Sequence, residues 1–389
     1  HIIDNSPIKE SDVQPILTRF FALNDKVILP FMYDKLTMVE IPSSIREISN
    51  GAFQNCRFLT KVSFTDPSSP QLRKIGHNAF KNCTSLVQFD LPLTVSYFGS
   101  SSFANCSKYT QSIKNDSGLS GLYIGNSAFS NSNIVSFESS TKILEIGQYA
   151  FENCQTLKSF SLANAKECKI GAKAFLNCNK LETIELGTKI CCLGKECFMK
   201  TAIESFSFVE DFTSIPDSCF KDCSKLREVT IPNLSCIQEF GKEAFSNTAI
   251  RAIFIPAATR LISDKCFENC KNLKSISFHE KFANKTSYFC QIAHDAFLNS
   301  GLKNPVLPAA VTYSDDDYNP PKLQQIAENK LKMHSIFFDT NVILLKGQSY
   351  GQFILDHQIK YQNDIAIYGA KIVGCNFAIE KVCIPRDIY

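Results

Sequence analysis

The stretch Ile170-Gly171-Ala172-Lys173-Ala174-Phe175-Leu176-Asn177-Cys178, followed by Leu181, Ile184 and Leu186, decides the fold because it recurs. Aligned on Phe175, the same phase returns at Phe53, Phe80, Phe103, Phe129, Phe151, Phe198, Phe220, Phe245, Phe267 and Phe297, at spacings of 22 to 30 residues. Five residues before each Phe stands a large apolar residue: Ile48, Ile75, Phe98, Ile124, Ile146, Ile170, Leu193, Ile215, Phe240, Ile262 or Ile292. The residue just before the Phe is always Ala, Ser or Cys. A fixed period of this length marks stacked units, none of which can bury a core alone.

Each unit is readable in more detail. After the Phe motif comes a short alternating strand, such as Val62-x-Phe64, Phe89-x-Leu91, Phe160-x-Leu162, Ile184-x-Leu186, Phe206-x-Phe208, Val229-x-Ile231, Ile253-x-Ile255 or Ile276-x-Phe278. Period-two alternation turns these pairs into the core and the residue between them outward. The strand after Phe103 (Ser112, Ile113) reads as broken. Gly stands four residues before Phe in seven of the eleven units, a position suited to positive φ or to close backbone approach. Asn follows Phe by two residues in nine units, where its amide can bond turn backbone and form a ladder along the stack.

These residues carry a resemblance. The pattern IGxxAFxxCxxLxxIxI is similar to the leucine-rich repeats of the BspA, or treponemal, type, over about two-thirds of the chain. The resemblance implies an α/β repeat: a curved solenoid with a parallel sheet on its concave face and caps at both ends. It also implies a surface protein of the kind found in oral bacteria and in protists such as trichomonads, with roles in adhesion. The Cys- and Asn-rich units lean towards the protist members. Residues 1–37, with helical spacing at Val13, Ile16, Leu17, Phe20, Phe21 and Leu23 and a strand around Val27, are read as the N-terminal cap. Residues 38–338 are the repeats, with 323–338 a decayed twelfth unit. Residues 339–389, with strands at 342–345, 365–367 and 382–385, are the C-terminal β cap.

Composition narrows the function. With 41 basic and 38 acidic residues the net charge is +3, which gives no footprint for nucleic acid. No apolar run approaches the ~18–20 residues of a membrane-spanning helix. The opening residues lack the basic segment and apolar core of a secretory leader. Of the seventeen cysteines, Cys56, Cys83, Cys106, Cys154, Cys178, Cys223 and Cys270 follow Phe by three, and Cys197, Cys219 and Cys266 precede it by one. The first slot also accepts Ser132, Thr201, Thr248 and Ser300, so it reads as a small buried position holding free thiols. Five sequons occur, at Asn82, Asn105, Asn115, Asn233 and Asn284. The first two sit in the ladder slot, whereas Asn115 and Asn284 fall in insertions and would be the usable acceptors.

No chemistry-bearing motif emerges. The six histidines pair with no Cys or carboxylate at metal-ligand spacing, the CxxxC pairs Cys219/Cys223 and Cys266/Cys270 are explained by repeat phase, and no cofactor motif is present. Asp315-Asp316-Asp317 reads as a solvated loop rather than a cation site. What remains is a surface. The outward strand residues Ser63, Asp90, Ser161, Glu185, Ser207, Thr230, Phe254 and Ser277 line a shallow, hydroxyl-rich face with one aromatic. The same small polar residues would also keep a crowded parallel sheet soluble. The expectation is a non-enzymatic binding module, a cell-surface or secreted adhesin for protein or glycan ligands on the concave face. An intracellular cytoplasmic scaffold is the alternative, favoured by cysteines with no sign of pairing.

Overall fold

A computed structural model describes residues 36–313, apart from 116–120, 141–142, 163–165, 187–188, 284–288, 294, 304 and 306. It also gives Ala22–Leu23, Val27–Ile28 and three antiparallel strands, Ile359–Gln362, Ile365–Tyr368 and Lys371–Cys375. The expected helix ends at Leu23, but Ala22–Leu23 is a strand paired with Val27–Ile28; the rest of that helix, the twelfth unit at 323–338, the strands at 342–345 and 382–385, the Asp315–Asp317 loop and Asn284 lie outside the described residues.

The chain divides into two compact units, His1–Glu204 with Cys219–Lys225, and Ser205–Ser218 with Leu226–Tyr389. Both are built as a parallel-strand β-solenoid. Every full turn contributes two strands, one more than the alternation alone revealed. The residue five before Phe ends one strand; seven such strands, with Ala22–Leu23 and Val27–Ile28, form a nine-stranded sheet in the first unit, and four, with Val311–Tyr313, form a five-stranded sheet in the second. The strand after the Phe motif forms the other row: Met38–Ile41 with Lys61–Phe64 and Gln88–Phe89, then Ser112–Asn115 with Ser136–Ser139, Ser159–Leu162 and Thr183–Leu186. In the second unit that row pairs Ser205–Ser207 with Glu228–Thr230, and Ala252–Ile255 with Ser275–Phe278.

The α/β expectation is not met. The described residues hold one helical turn, the 3-10 segment Glu280–Ala283. The backbone hydrogen bonds explain why. In the Phe53 unit the N–H groups of Gly51, Phe53 and Asn55 donate to the next turn, at His77, Ala79 and Lys81 carbonyls (2.8, 2.7 and 2.8 Å). The intervening Ala52, Gln54 and Cys56 N–H groups close local turns onto Ser49, Gly51 and Phe53. The same partition repeats from Asn78, Phe80 and Asn82 to Ser100, Ser102 and Ala104. Alternate donors are thus committed to the neighbouring turn, and an α-helix, which needs every N–H for its own fourth neighbour, has none to spare.

This alternation places the residue two after Phe in the left-handed region in all eleven units, with φ from 54° to 64°. Asn tolerates that conformation best among residues with a Cβ, which accounts for its recurrence. The residue two before Phe is left-handed as well in ten units, including Tyr149, Lys173 and Glu196. Of the two roles expected for the Gly four before Phe, close approach is the one observed. A Cβ on Gly171 would lie 2.6 Å from the Gln148 backbone nitrogen and 2.7 Å from the Gly147 carbonyl carbon.

The core is a column of rings. Phe53, Phe80, Phe103, Phe129, Phe151, Phe175, Phe198 and Phe220 stack successively in the first unit, with centroids 5.1 to 5.5 Å apart. Phe245, Phe267 and Phe297 do so in the second. Beside the rings runs the Asn ladder: Nδ2 of Asn82, Asn105, Asn131, Asn153 and Asn177 each donates to Oδ1 of the preceding Asn at 2.7 to 3.0 Å. The thiol three after Phe donates to the preceding turn's Phe carbonyl, as Cys178 to Phe151 at 2.9 Å and Cys270 to Phe245 at 3.0 Å. All ten phased cysteines carry free thiols. Cys236, outside the phase, is disulfide-bonded.

Candidate binding face

The second row of strands carries the expected surface residues. In Ser159–Leu162, Phe160 and Leu162 are buried while Ser159 and Ser161 point away from the core. Burial is shallower at sheet edges: Ile184 and Leu186 in Thr183–Leu186, and Ile276 and Phe278 in Ser275–Phe278, are only half-buried. Asp90, Glu185, Ser207, Thr230 and Ser277 are exposed, and Ser63, Ser161 and Phe254 are half-buried.

Parallel register brings some of them together. Ser161 stands opposite Glu185, and its hydroxyl donates to the Glu185 Oε2 at 2.8 Å. Ser207 stands opposite Thr230, and Phe254 opposite Ser277. Ser63 belongs to the separate three-stranded sheet, where its Oγ lies 3.5 Å from the Val39 carbonyl. Asp90 follows that sheet's last strand and accepts from Gln88 Nε2 at 3.3 Å. Phe254 is less open than its strand phase implied: its nearest ring partner is the buried His279, 6.5 Å away. The nearby Phe282 is fully buried and packs edge-on against Phe278 at 5.9 Å.

Sequence reasoning missed three members of this face. Glu40 stands opposite Ser63. Lys114 and Glu138 extend the Ser161–Glu185 column across four strands, and their side chains pair at 3.3 Å. Lys114 was hidden because its strand seemed broken. The strand is intact: Asn115 occupies the aliphatic slot, only 3 % exposed, with its Nδ2 donating to the Leu93 and Val95 carbonyls. Ser139 fills the same slot one turn on, and its hydroxyl lies 3.4 Å from Asn115 Oδ1. A polar pair that satisfies itself substitutes for two aliphatic residues. The expected glycan acceptor Asn115 is therefore a core residue.

The column offers hydroxyls, carboxylates and an ammonium at one strand spacing, ~4.8 Å, an array suited to hydrogen-bonding an extended polar ligand. Its four strands contain no histidine, and the Ser161 hydroxyl is held by the Glu185 carboxylate. The thiols are no better placed. Burial pushes Cys223 up to about 12, Cys270 up to about 11 and Cys290 up to about 12, so at neutral pH they remain protonated. Among the described residues no cluster of His, Cys, Asp or Glu could hold a metal ion, and no helix is long and apolar enough to cross a membrane.

A solved structure shares this architecture. A leucine-rich repeat protein from Bacteroides ovatus superposes with a TM-score of 0.55 at 23% identity, over 74% of this chain and 78% of that one. A leucine rich cell surface protein from Faecalibacterium prausnitzii (20% identity, 72% and 80% coverage, TM-score 0.38) and the pneumococcal vaccine antigen PcpA (18%, 77% and 80%, 0.40) are more distant. No curated protein sequence matches. The BspA type leucine rich repeat region matches in six copies across residues 30–158, 122–235 and 192–318. The eleven-fold Phe phase, the paired parallel ladders and this match place the chain in the BspA-type leucine-rich repeat family.

Proposed function

We propose that the protein is a non-enzymatic binding module, a cell-surface adhesin that takes protein or glycan ligands on the outward face of its second strand row, the concave face of the family's solenoid. The observation that carries this reading is the in-register column Lys114, Glu138, Ser161 and Glu185, whose polar groups repeat at strand spacing on a rigid sheet. In the second unit Ser207, Thr230, Phe254 and Ser277 offer the same type of face, with one aromatic. The disulfide at Cys236 favours an oxidising compartment and so a surface or secreted location.

A second reading, an intracellular scaffold, draws on the thirteen free cysteines among the described residues, twelve of them buried. The two are separated by protease shaving of intact source cells, which removes a surface chain and spares a cytoplasmic one. The binding reading is tested by screening the purified chain against arrays of glycans and matrix proteins, then repeating each hit with Glu138→Lys/Glu185→Lys. Loss of the hit at an unchanged melting transition supports the face. Hits that survive the double substitution refute it.

A further inference from the structure

We propose that Asn233 is an N-glycan acceptor of this chain, carrying an oligosaccharide beside the exposed Leu234. This rests on the surface or secreted reading above. Four sequons fall among the described residues, and the fold sorts them. Asn82 and Asn105 are consecutive rungs of the Asn ladder: Asn82 donates to Asn55 at 2.7 Å and accepts from Asn105 at 2.7 Å, and Asn105 accepts from Asn131. Both have φ near 63° and side chains flanked by another Asn one turn away on either side. Asn115 is buried with its Nδ2 on two carbonyls. A sugar on any of the three displaces bonds that hold neighbouring turns together.

Asn233 differs on every count. It sits in the turn after strand Glu228–Thr230, closed by the Ser235 N–H on the Pro232 carbonyl at 3.0 Å. It is exposed, and among the described residues its side chain has no hydrogen-bond partner. The next residue, Leu234, is 55 % exposed, an apolar surface that the first sugar can cover. One residue past the sequon is the disulfide-bonded Cys236, so the same turn bears a mark of an oxidising compartment.

In the transfer, Asn233 Nδ2 displaces a lipid pyrophosphate from C1 of a lipid-carried oligosaccharide. The N–C1 bond forms as the C1–O bond breaks, the pyrophosphate leaves with the electron pair, and one amide proton passes to the transferase's base. Ser235, whose hydroxyl the transferase must read, is buried in the folded chain and accepts the Ile237 N–H at 3.4 Å. Transfer therefore precedes closure of the turn. At that stage Asn82, Asn105 and Asn115 are reachable as well, and molecules modified there do not complete the stack.

The test is secretion of the full chain, with a cleavable leader, from a glycosylating eukaryotic host in an Asn284→Gln background. The folded secreted fraction should carry one glycan, mapped to Asn233 and absent from Asn233→Gln. Glycans on Asn82, Asn105 or Asn115 should be confined to the retained fraction. An unmodified Asn233 in the folded fraction, or a glycan at the other three in protein that melts normally, overturns the proposal. Where no chain is secreted, translation into microsomes of a chain keeping only the Asn233 sequon must show one endoglycosidase-sensitive shift, and its absence is equally fatal. Protease shaving of source cells is read separately. A chain confined to the cytoplasm removes the native compartment while leaving the acceptor result intact.

Discussion

Phe175→Ala offers the sharpest check on the stacked core. The ring is fully buried, parallel to Phe151 at 5.2 Å and to Phe198 at 5.4 Å, with Phe160 edge-on at 4.8 Å. Truncating a buried Phe costs ~3–5 kcal/mol in lost transfer free energy plus cavity. Each ring pair adds about 0.5–1.5 kcal/mol beyond its area, so three lost pairs put the estimate at the upper end. In a solenoid the loss concentrates at the two interfaces that the residue serves. Denaturant melts should lose ~5 kcal/mol or split into two transitions. Amide exchange should quicken first at Phe151 and Phe175, whose N–H groups bond the Ala174 and Cys197 carbonyls. A loss under ~1 kcal/mol, or exchange quickening uniformly along the chain, would refute a core built from coupled rings.

Three further outcomes are expected. Asn153→Ala should cost about 3–4 kcal/mol, combining two ladder bonds at ~1 kcal/mol each with a left-handed backbone that Ala resists by ~1–2 kcal/mol; Asn153→Gly, measured by the same melt, should recover only the backbone share. Stability should fall as pH rises above 9. The thiols of Cys223, Cys270 and Cys290 titrate in the folded chain at about 12, 11 and 12 against an ordinary 9.0, so the folded state holds protons that the unfolded state has lost. Each thiol then costs ~1.4 kcal/mol per pH unit until its folded value is reached, and equal urea midpoints at pH 8 and pH 10 would contradict this. Phe254→Ser should leave the melting transition nearly unchanged and weaken a second-unit ligand roughly thirtyfold, about 2 kcal/mol at an aromatic anchor; unaltered binding on a sensor surface would remove Phe254 from the face.

What the residues disclosed follows from where side chains are constrained. Phe175 and Ile170 repeat because each fills a slot between identical neighbours, so periodicity exposes the core and the outward phase of the strands. The left-handed positions two before Phe stayed hidden because Tyr149, Lys173 and Glu196 share no chemistry. Their conformation is imposed by alternate donation to the next turn, not by residue type. The first strand row was missed since several members are two residues long, as in Lys74–Ile75, too short to show alternation. Helices were an import from the resemblance, with no residue pattern inside a unit to support them. On the face itself, Lys114 and Glu138 were lost because Asn115 and Ser139 look polar one at a time and are satisfied only as a pair.

The alternating donation between turns has a bearing on how such a chain changes length. From the Phe53 turn to the Phe175 turn, each presents the same three N–H groups to the following turn's same three carbonyls, irrespective of the side chains it carries. A cut placed at equivalent positions therefore heals without a frame error. Excising Glu152–Phe175 would join Phe151 directly to Leu176, set Asn177 two residues after Phe151, and offer the Phe151 N–H the Cys197 carbonyl in place of Ala174. Whole turns are interchangeable parts, so gene recombination can lengthen or shorten the array without redesigning its core, provided the breakpoints keep phase with the phenylalanines.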